Sequence, residues 1–159
     1  MSHVRPVVRA VFDCMILLQA VVRGNGPSAA CLRFAQTGAI ELCLSQSTIL
    51  ELEEVLSRPR IRTKFPQLTD DLVARFLGAL RTYSVSILDV PRVFEYPRDA
   101  KDEPYINLAL AANASYLVSW DQDLLALNGS STLGRVGSTL NIMSPTAFLV
   151  ELRRKIAFA

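Results

Sequence analysis

Histidine is nearly absent from this sequence: the only one, His3, stands in the segment Met1-Ser2-His3-Val4-Arg5-Pro6, and chain ends are seldom held in place. A Ser-His-Asp or Cys-His catalytic unit needs an imidazole fixed beside its nucleophile, and a ribonuclease built on paired imidazoles needs more than one, so both are excluded. Cysteine is scarce as well. Cys14, Cys31 and Cys43 are odd in number and lack C-x-x-C spacing, which argues against a disulfide framework and against a thiolate zinc site; they read as small buried hydrophobes. No uncharged apolar run reaches the roughly 20 residues of a membrane span, because Asp13, Gln19 and Asn113 interrupt the longest stretches. The N-terminal segment also lacks the apolar core and small-residue cleavage site of a signal peptide, so the expected compartment is the cytoplasm, with no membrane partner. Carboxylates are left to carry any chemistry.

Half of the 159 residues are hydrophobic. A chain of this length fits one domain, expected over 1–159, that buries roughly two-thirds of the surface its unfolded form exposes. The formal charge of +2 averages an acidic cluster with a basic remainder, a surface suited to a polyanion that charge alone does not name. Strand-like and helix-like stretches alternate. Strands are expected at about 7–13, 41–44, 84–88, 116–119 and 140–143, and helices at about 27–37, 46–57, 69–82, 104–114, 122–127 and 145–156. Residues 58–66 read as a basic connection and 91–101 as a loop. This alternation predicts an α/β fold, a three-layer α/β/α sandwich around a central, mainly parallel sheet, with ligands bound beyond the carboxyl ends of the strands.

Asp13 closes the apolar strand Val7-Val8-Arg9-Ala10-Val11-Phe12, and Asp121 closes Tyr116-Leu117-Val118-Ser119-Trp120. An ionised carboxylate at the mouth of a buried strand is costly unless a cation compensates it, and carboxylates in apolar surroundings concentrate at functional sites. Asp121 and Asp123 can equally cap the short helix that follows, and Asp102 and Glu103 can open the helix that Pro104 starts. On the helix over 46–57, Ile49, Leu52 and Leu56 mark the core face; spacing alone does not choose between Glu51 and Glu53 as the functional acid. Arg58, Arg60, Arg62 and Lys64 form a basic run that is either a solvated connector or a set of phosphate contacts. Gly24-Asn25-Gly26-Pro27 lacks the remaining glycine of G-x-G-x-x-G and is not a nucleotide fingerprint.

Taken in order, Val11-Phe12-Asp13, the stretch Ser45–Pro59 with Glu51-Leu52-Glu53-Glu54, the stretch Arg98-Asp99-Ala100-Lys101-Asp102-Glu103-Pro104-Tyr105, and the stretch Ala109–Leu125 ending in Ser119-Trp120-Asp121-Gln122-Asp123 resemble the PIN-domain family of metal-dependent nucleases. The likeness is strongest to the single-domain bacterial toxins of toxin–antitoxin pairs and covers nearly the whole chain. It implies a PIN-like fold and assigns the four family acids to Asp13, Glu51, Asp102 and Asp121, thereby choosing Glu51 over Glu53. Asp123 stands beside them as a helper to the metal, Ser119 matches the family's Ser/Thr before the last acid, and Asp99 is secondary. One departure stands out: the family usually follows its first aspartate with Thr-Asn, and this chain has Cys14 and Met15.

The implied activity is endonucleolytic hydrolysis of RNA with Mg2+ or Mn2+, leaving a 5′-phosphate and a 3′-hydroxyl. Clustered carboxylates repel one another until hard cations neutralise them, and oxygen-only ligands select magnesium or manganese over zinc. The resemblance also implies an antitoxin protein and a second copy of the chain as partners. The C-terminal stretch Ala147–Ile156 is apolar enough either to pack on the core or to serve a dimer. The alternative function is a non-catalytic PIN-like module that binds nucleic acid or protein. A flavodoxin-like phosphoacceptor needs a lysine at a strand end, and none is so placed.

Overall fold

The computed structural model describes residues 7–96, 99–136 and 139–157. His3 therefore lies outside the described residues. Five strands form one sheet in the order β3-β2-β1-β4-β5, with β1 at Arg9–Phe12, β2 at Glu41–Leu44, β3 at Ser84–Ser86, β4 at Tyr116–Val118 and β5 at Asn141–Met143. Every pairing among the described strands is parallel, as the alternation of strands and helices leads one to expect. The chain builds outward from β1 to β3 on one side and then crosses back to place β4 against the other side of β1. The order of strands thus reverses between β1 and β4, the point at which open parallel sheets leave a crevice at their carboxyl ends. Asp13 and Asp121 follow those two strands.

Nine helices occur among the described residues: α1 Cys14–Val22, α2 Pro27–Gln36, α3 Gln46–Ser57, α4 Pro59–Lys64, α5 Asp70–Tyr83, α6 Glu103–Ala111, α7 Gln122–Ala126, α8 Ser131–Gly134 and α9 Pro145–Ala157. They cover the sheet as the outer layers of a three-layer α/β/α sandwich. Register sets Ala10 beside Tyr116 and Phe12 beside Val118, so these side chains share one face of the sheet. There the ring of Phe148 on α9 meets Phe12 and Tyr116 edge-on, with centroids 5.9 and 5.3 Å away. Burying such a ring contributes about 1.5–3 kcal/mol. Alternation turns Val11 and Leu117 to the opposite face, and α6 lies along β1, β2 and β4. Phe148, Leu149 and Leu152 of α9 are buried while Val150 and Ile156 are exposed, so the C-terminal helix packs its apolar stripe on the core.

Three helices depart from the expected pattern. Residues 14–22 continue directly from β1 as α1, 59–64 form α4 instead of a connector, and 131–134 form α8 inside a Gly/Ser-rich stretch. Pro59 does end α3, but its fixed φ also suits the first position of the next helix. Ser130 opens α8 by accepting the Leu133 N–H at 3.2 Å.

Candidate functional site

Asp13 is positioned by the turn from β1 into α1. Its N–H extends the ladder to the Val118 carbonyl at 3.2 Å, and its carboxylate caps α1 by accepting the Ile16 N–H at 3.1 Å. The Ser119 hydroxyl donates to the other carboxylate oxygen. Burial pushes the Asp13 carboxyl up to about 6 even though the Ser119 and backbone donors favour its ionised form.

Asp121 follows β4 and caps α7, with Oδ1 accepting the N–H groups of Asp123 and Leu124 at 2.8 and 3.2 Å. Its own N–H donates to Ser119 Oγ at 2.9 Å, so a single hydroxyl orders the loops after both central strands. Capping and site geometry therefore coexist at Asp121. Asp102 differs. It stands at the start of α6 but makes no side-chain cap bond, is buried, and leaves Oδ2 without a hydrogen-bond partner among the described residues. Burial first, and then the charges of Asp121, Asp99, Asp13 and Asp123, push its carboxyl up to about 7.

One carboxylate oxygen from each of Asp99, Asp102 and Asp121 lies within 4.8 Å of the others. Ligands of a single hard cation sit at about 2.0–2.6 Å from it and so as far as about 4–5 Å apart, which this set satisfies. The donors are all oxygen, and the buried Asp102 Oδ2 has nothing to accept from among the described residues; both features fit a divalent cation. Asp99, secondary in the sequence, joins this trio because the turn that bonds the Asp102 N–H to the Asp99 carbonyl folds the Asp99-x-x-Asp102 spacing onto one side. Asp13 and Asp123 stand near enough for their charges to act on Asp102.

Glu51 approaches from α3. The Tyr105 hydroxyl donates to its Oε2 at 2.7 Å and the Cys14 thiol to its Oε1 at 3.5 Å, while the Cys14 N–H donates to the same tyrosine oxygen at 3.2 Å. Glu51 is thus linked to the residue immediately after Asp13. The Cys14 thiol, pushed up to about 12 by burial, stays protonated and supplies a donor where the family's usual threonine offers a hydroxyl. Met15 is exposed. Glu53 instead pairs with Arg81 at 2.5 Å on the far side of α3, and Glu54 pairs with Arg58 at 2.7 Å.

Tyr105 was not singled out by sequence. Its position three residues after Asp102, in the first turn of α6, is the signal that could have found it. Glu103, also buried, is committed elsewhere: it pairs with Arg92 at 3.0 Å and accepts the Tyr96 N–H at 2.7 Å, pinning the strap before Asp99. Asn107 holds the same strap by accepting the Val93 and Phe94 N–H groups at 2.9 and 2.7 Å.

The basic run does not act as one group. Arg58 is tied to Glu54, and Arg62 donates to the Leu56 carbonyl and pairs with Asp70 at 2.9 Å. Lys64 lies over the Phe65 ring at 5.4 Å, and Arg60 is exposed with no ion pair among the described residues.

Among the described residues no helix is long and apolar enough to cross a membrane. No individual curated protein matches the sequence. The family description "PIN domain", by contrast, matches residues 9–123, from the first residue of β1 to the aspartate beside Asp121, and so spans every carboxylate placed at the ends of the strands. On that match over most of its length, the chain belongs to the PIN-domain family, whose members are generally nucleases that work with divalent metals.

Proposed function

We propose that the protein is a Mg2+- or Mn2+-dependent endoribonuclease of the cytoplasm, with Asp13, Glu51, Asp102 and Asp121 as its acids and Asp99 and Asp123 as further metal ligands or helpers. The observation that carries this is the unpartnered, buried Oδ2 of Asp102 within a set of three converging carboxylates. When bound, a hard dication offsets the charge that develops on the scissile phosphate and leaving oxygen and acidifies the attacking water.

The chain's own residues prepare that chemistry. Ser119 fixes Asp13 and, through its other contact, the backbone of Asp121; Tyr105 and Cys14 hold Glu51 in one rotamer. Such support matters because a carboxylate free to rotate loses the geometry on which positioning depends. The choice of RNA, and the role of toxin with an antitoxin protein and a second copy as partners, rest on the resemblance to single-domain toxins. The exposed Val150 and Ile156 on α9 give a partner apolar surface to cover.

Purified protein incubated with mixed RNA should cleave it when Mg2+ or Mn2+ is present and not in chelator, leaving 5′-phosphate ends. Asp13→Asn or Asp121→Asn should abolish this while leaving the protein folded. Metal-independent binding without cleavage would instead favour a non-catalytic module, and full activity in either variant would refute the acid assignment.

A further inference from the structure

Beside the carboxylates, α1, the N-terminal end of α2 and the loop after β4 enclose an open pocket of about 220 Å³ lined by Gln19, Arg23, Gly26, Pro27, Ser28 and Trp120. That is below the roughly 300–1,000 Å³ of a pocket for a whole drug-sized ligand, and it suits one flat ring whose attached anion stays at the open mouth. Trp120 lies in sequence between Ser119 and Asp121 and is 38% exposed, an uncommon place to leave the chain's sole tryptophan. Its indole N–H donates to Gln19 Oε1 at 2.8 Å, and the Ser28 hydroxyl donates to the same oxygen at 2.8 Å. Indole can only donate, so the Gln19 carbonyl must face it and the Gln19 amide group is turned elsewhere. The ring is thereby held in a fixed orientation while part of it stays open to solvent.

The polar groups left over in this pocket are donors. The Gln19 amide has no acceptor among the described residues. The Arg23 guanidinium has no ion pair among the described residues, a state it shares with Arg33, Arg60, Arg135 and Arg153, but it alone of these lines the pocket. A fixed aromatic face, an unpaired guanidinium and a free amide are complementary to a ring bearing carbonyl acceptors next to an anion. Gln19 also lies six positions after Asp13, about 9 Å of helical rise, which is the reach of a neighbouring nucleotide on one strand.

We infer that this pocket is a subsite for one unpaired nucleotide flanking the scissile phosphate of single-stranded RNA, with its base stacked on Trp120 and its phosphate paired to Arg23. The inference rests on the nuclease function proposed above and adds a substrate class to it: a strand whose bases are free to splay. Stacking on aromatic rings is tolerant of base identity, so the subsite selects single-stranded over paired substrate rather than a particular sequence.

Because Trp120 is the only tryptophan, its emission reports directly on the pocket. Full-length protein in chelator, where cleavage is stopped, should show saturable quenching of that emission by a short unlabelled oligouridylate, and little by the same strand annealed to its complement. Arg23→Gln and Trp120→Leu should each weaken binding by about tenfold in fluorescence anisotropy with a labelled strand, while Trp120→Phe keeps most of it. Arg23 is exposed, so its replacement reads the pocket even if the leucine variant folds poorly. Absence of oligonucleotide binding, unchanged emission at saturation, or parent-like affinity in Arg23→Gln would each overturn the subsite. Quenching without any Mn2+-dependent cleavage would retain the subsite and reject the nuclease function; cleavage by a protein whose emission and Arg23→Gln affinity do not respond would do the reverse.

Discussion

The Ser119 hydroxyl donates to Asp13 and accepts the N–H of Asp121, so the two strands that flank the crevice are tied at their carboxyl ends through one oxygen. Replacing it tests whether that tie matters to chemistry or only to folding. Ser119→Ala removes a donor that favours the ionised form of Asp13, so the Asp13 carboxyl should rise further above its value of about 6. Metal-dependent cleavage should fall by about 10–100-fold, as is usual when an outer partner of a ligand is removed, and the acidic limb of the pH–rate profile should move to higher pH. Ser119→Thr should restore both. A variant with lower stability but an unmoved acidic limb would reduce Ser119 to a structural role.

Asp102 and Asp13 make the metal-free fold pH-sensitive in a definite direction. Both carboxyls are raised by burial, to about 7 and about 6, from an unfolded value of 3.8. In that window the folded state holds more protons than the unfolded state, so stability is highest below the unfolded value and declines as pH climbs through the folded ones. Glu54 and Glu103, lowered by Arg58 and Arg92, act in the opposite sense, but below about pH 4.5. In chelator, the melting temperature should therefore rise as pH falls from about 7.5 to 5. Asp102→Asn should flatten that slope, stabilise the metal-free protein at neutral pH and remove most of the increase that Mn2+ gives the parent. Thermal denaturation with and without Mn2+ measures all three, and a variant with the parent's slope and the parent's metal response would remove Asp102 from the site.

Much of this arrangement was legible because the strands end in charged residues after apolar runs, and alternation of strands with helices fixes a parallel sheet. Helix α1 was not legible. Gln19 is its only polar residue in nine, and a helix packed between others on several sides carries no period of 3.6 to detect. Asp121 illustrates a different limit: local sequence could not separate a cap from a site residue, and the structure makes the cap while leaving the carboxylate within the acidic trio. Asp102 looked like an equally good cap and is none, since its α6 begins with an unbonded side chain. Spacing on α3 left Glu51 and Glu53 open and the family resemblance chose Glu51; what the sequence did not show are their different partners, Tyr105 and Arg81, which lie on elements distant in sequence.

Tyr105 serves two acceptor–donor demands at once, and removing its oxygen should expose both. In Tyr105→Phe the Cys14 N–H at the start of α1 loses its acceptor, and Glu51 loses its shortest hydrogen bond. An orphaned buried donor costs about 1–3 kcal/mol, which urea denaturation can resolve. Cleavage should fall in the same variant and in Glu51→Gln. Glu53→Gln should cleave RNA as the parent does, because its partner Arg81 forms an exposed pair of the kind that contributes at most about 1 kcal/mol. Loss of activity in Glu53→Gln with retention in Glu51→Gln would reverse the assignment.

The basic stretch divides by what each side chain already does. Arg58 and Arg62 are held by Glu54, Asp70 and the Leu56 carbonyl, so neutralising them should act on stability: Arg62→Gln strands an acceptor at the end of α3, and Arg58→Gln breaks only an exposed pair. Arg60 in the first turn of α4 and Lys64 at its end keep their charge available. If α4 runs along the RNA backbone, Arg60→Gln and Lys64→Gln together should weaken binding uniformly across sequences and lower the dependence of log affinity on log salt by about 1 for each phosphate that is no longer neutralised. Binding of a short RNA measured in chelator across a salt series gives that slope. A slope equal to the parent's in the Arg60/Lys64 double variant would leave α4 as a solvated helix whose charges serve only its own folding.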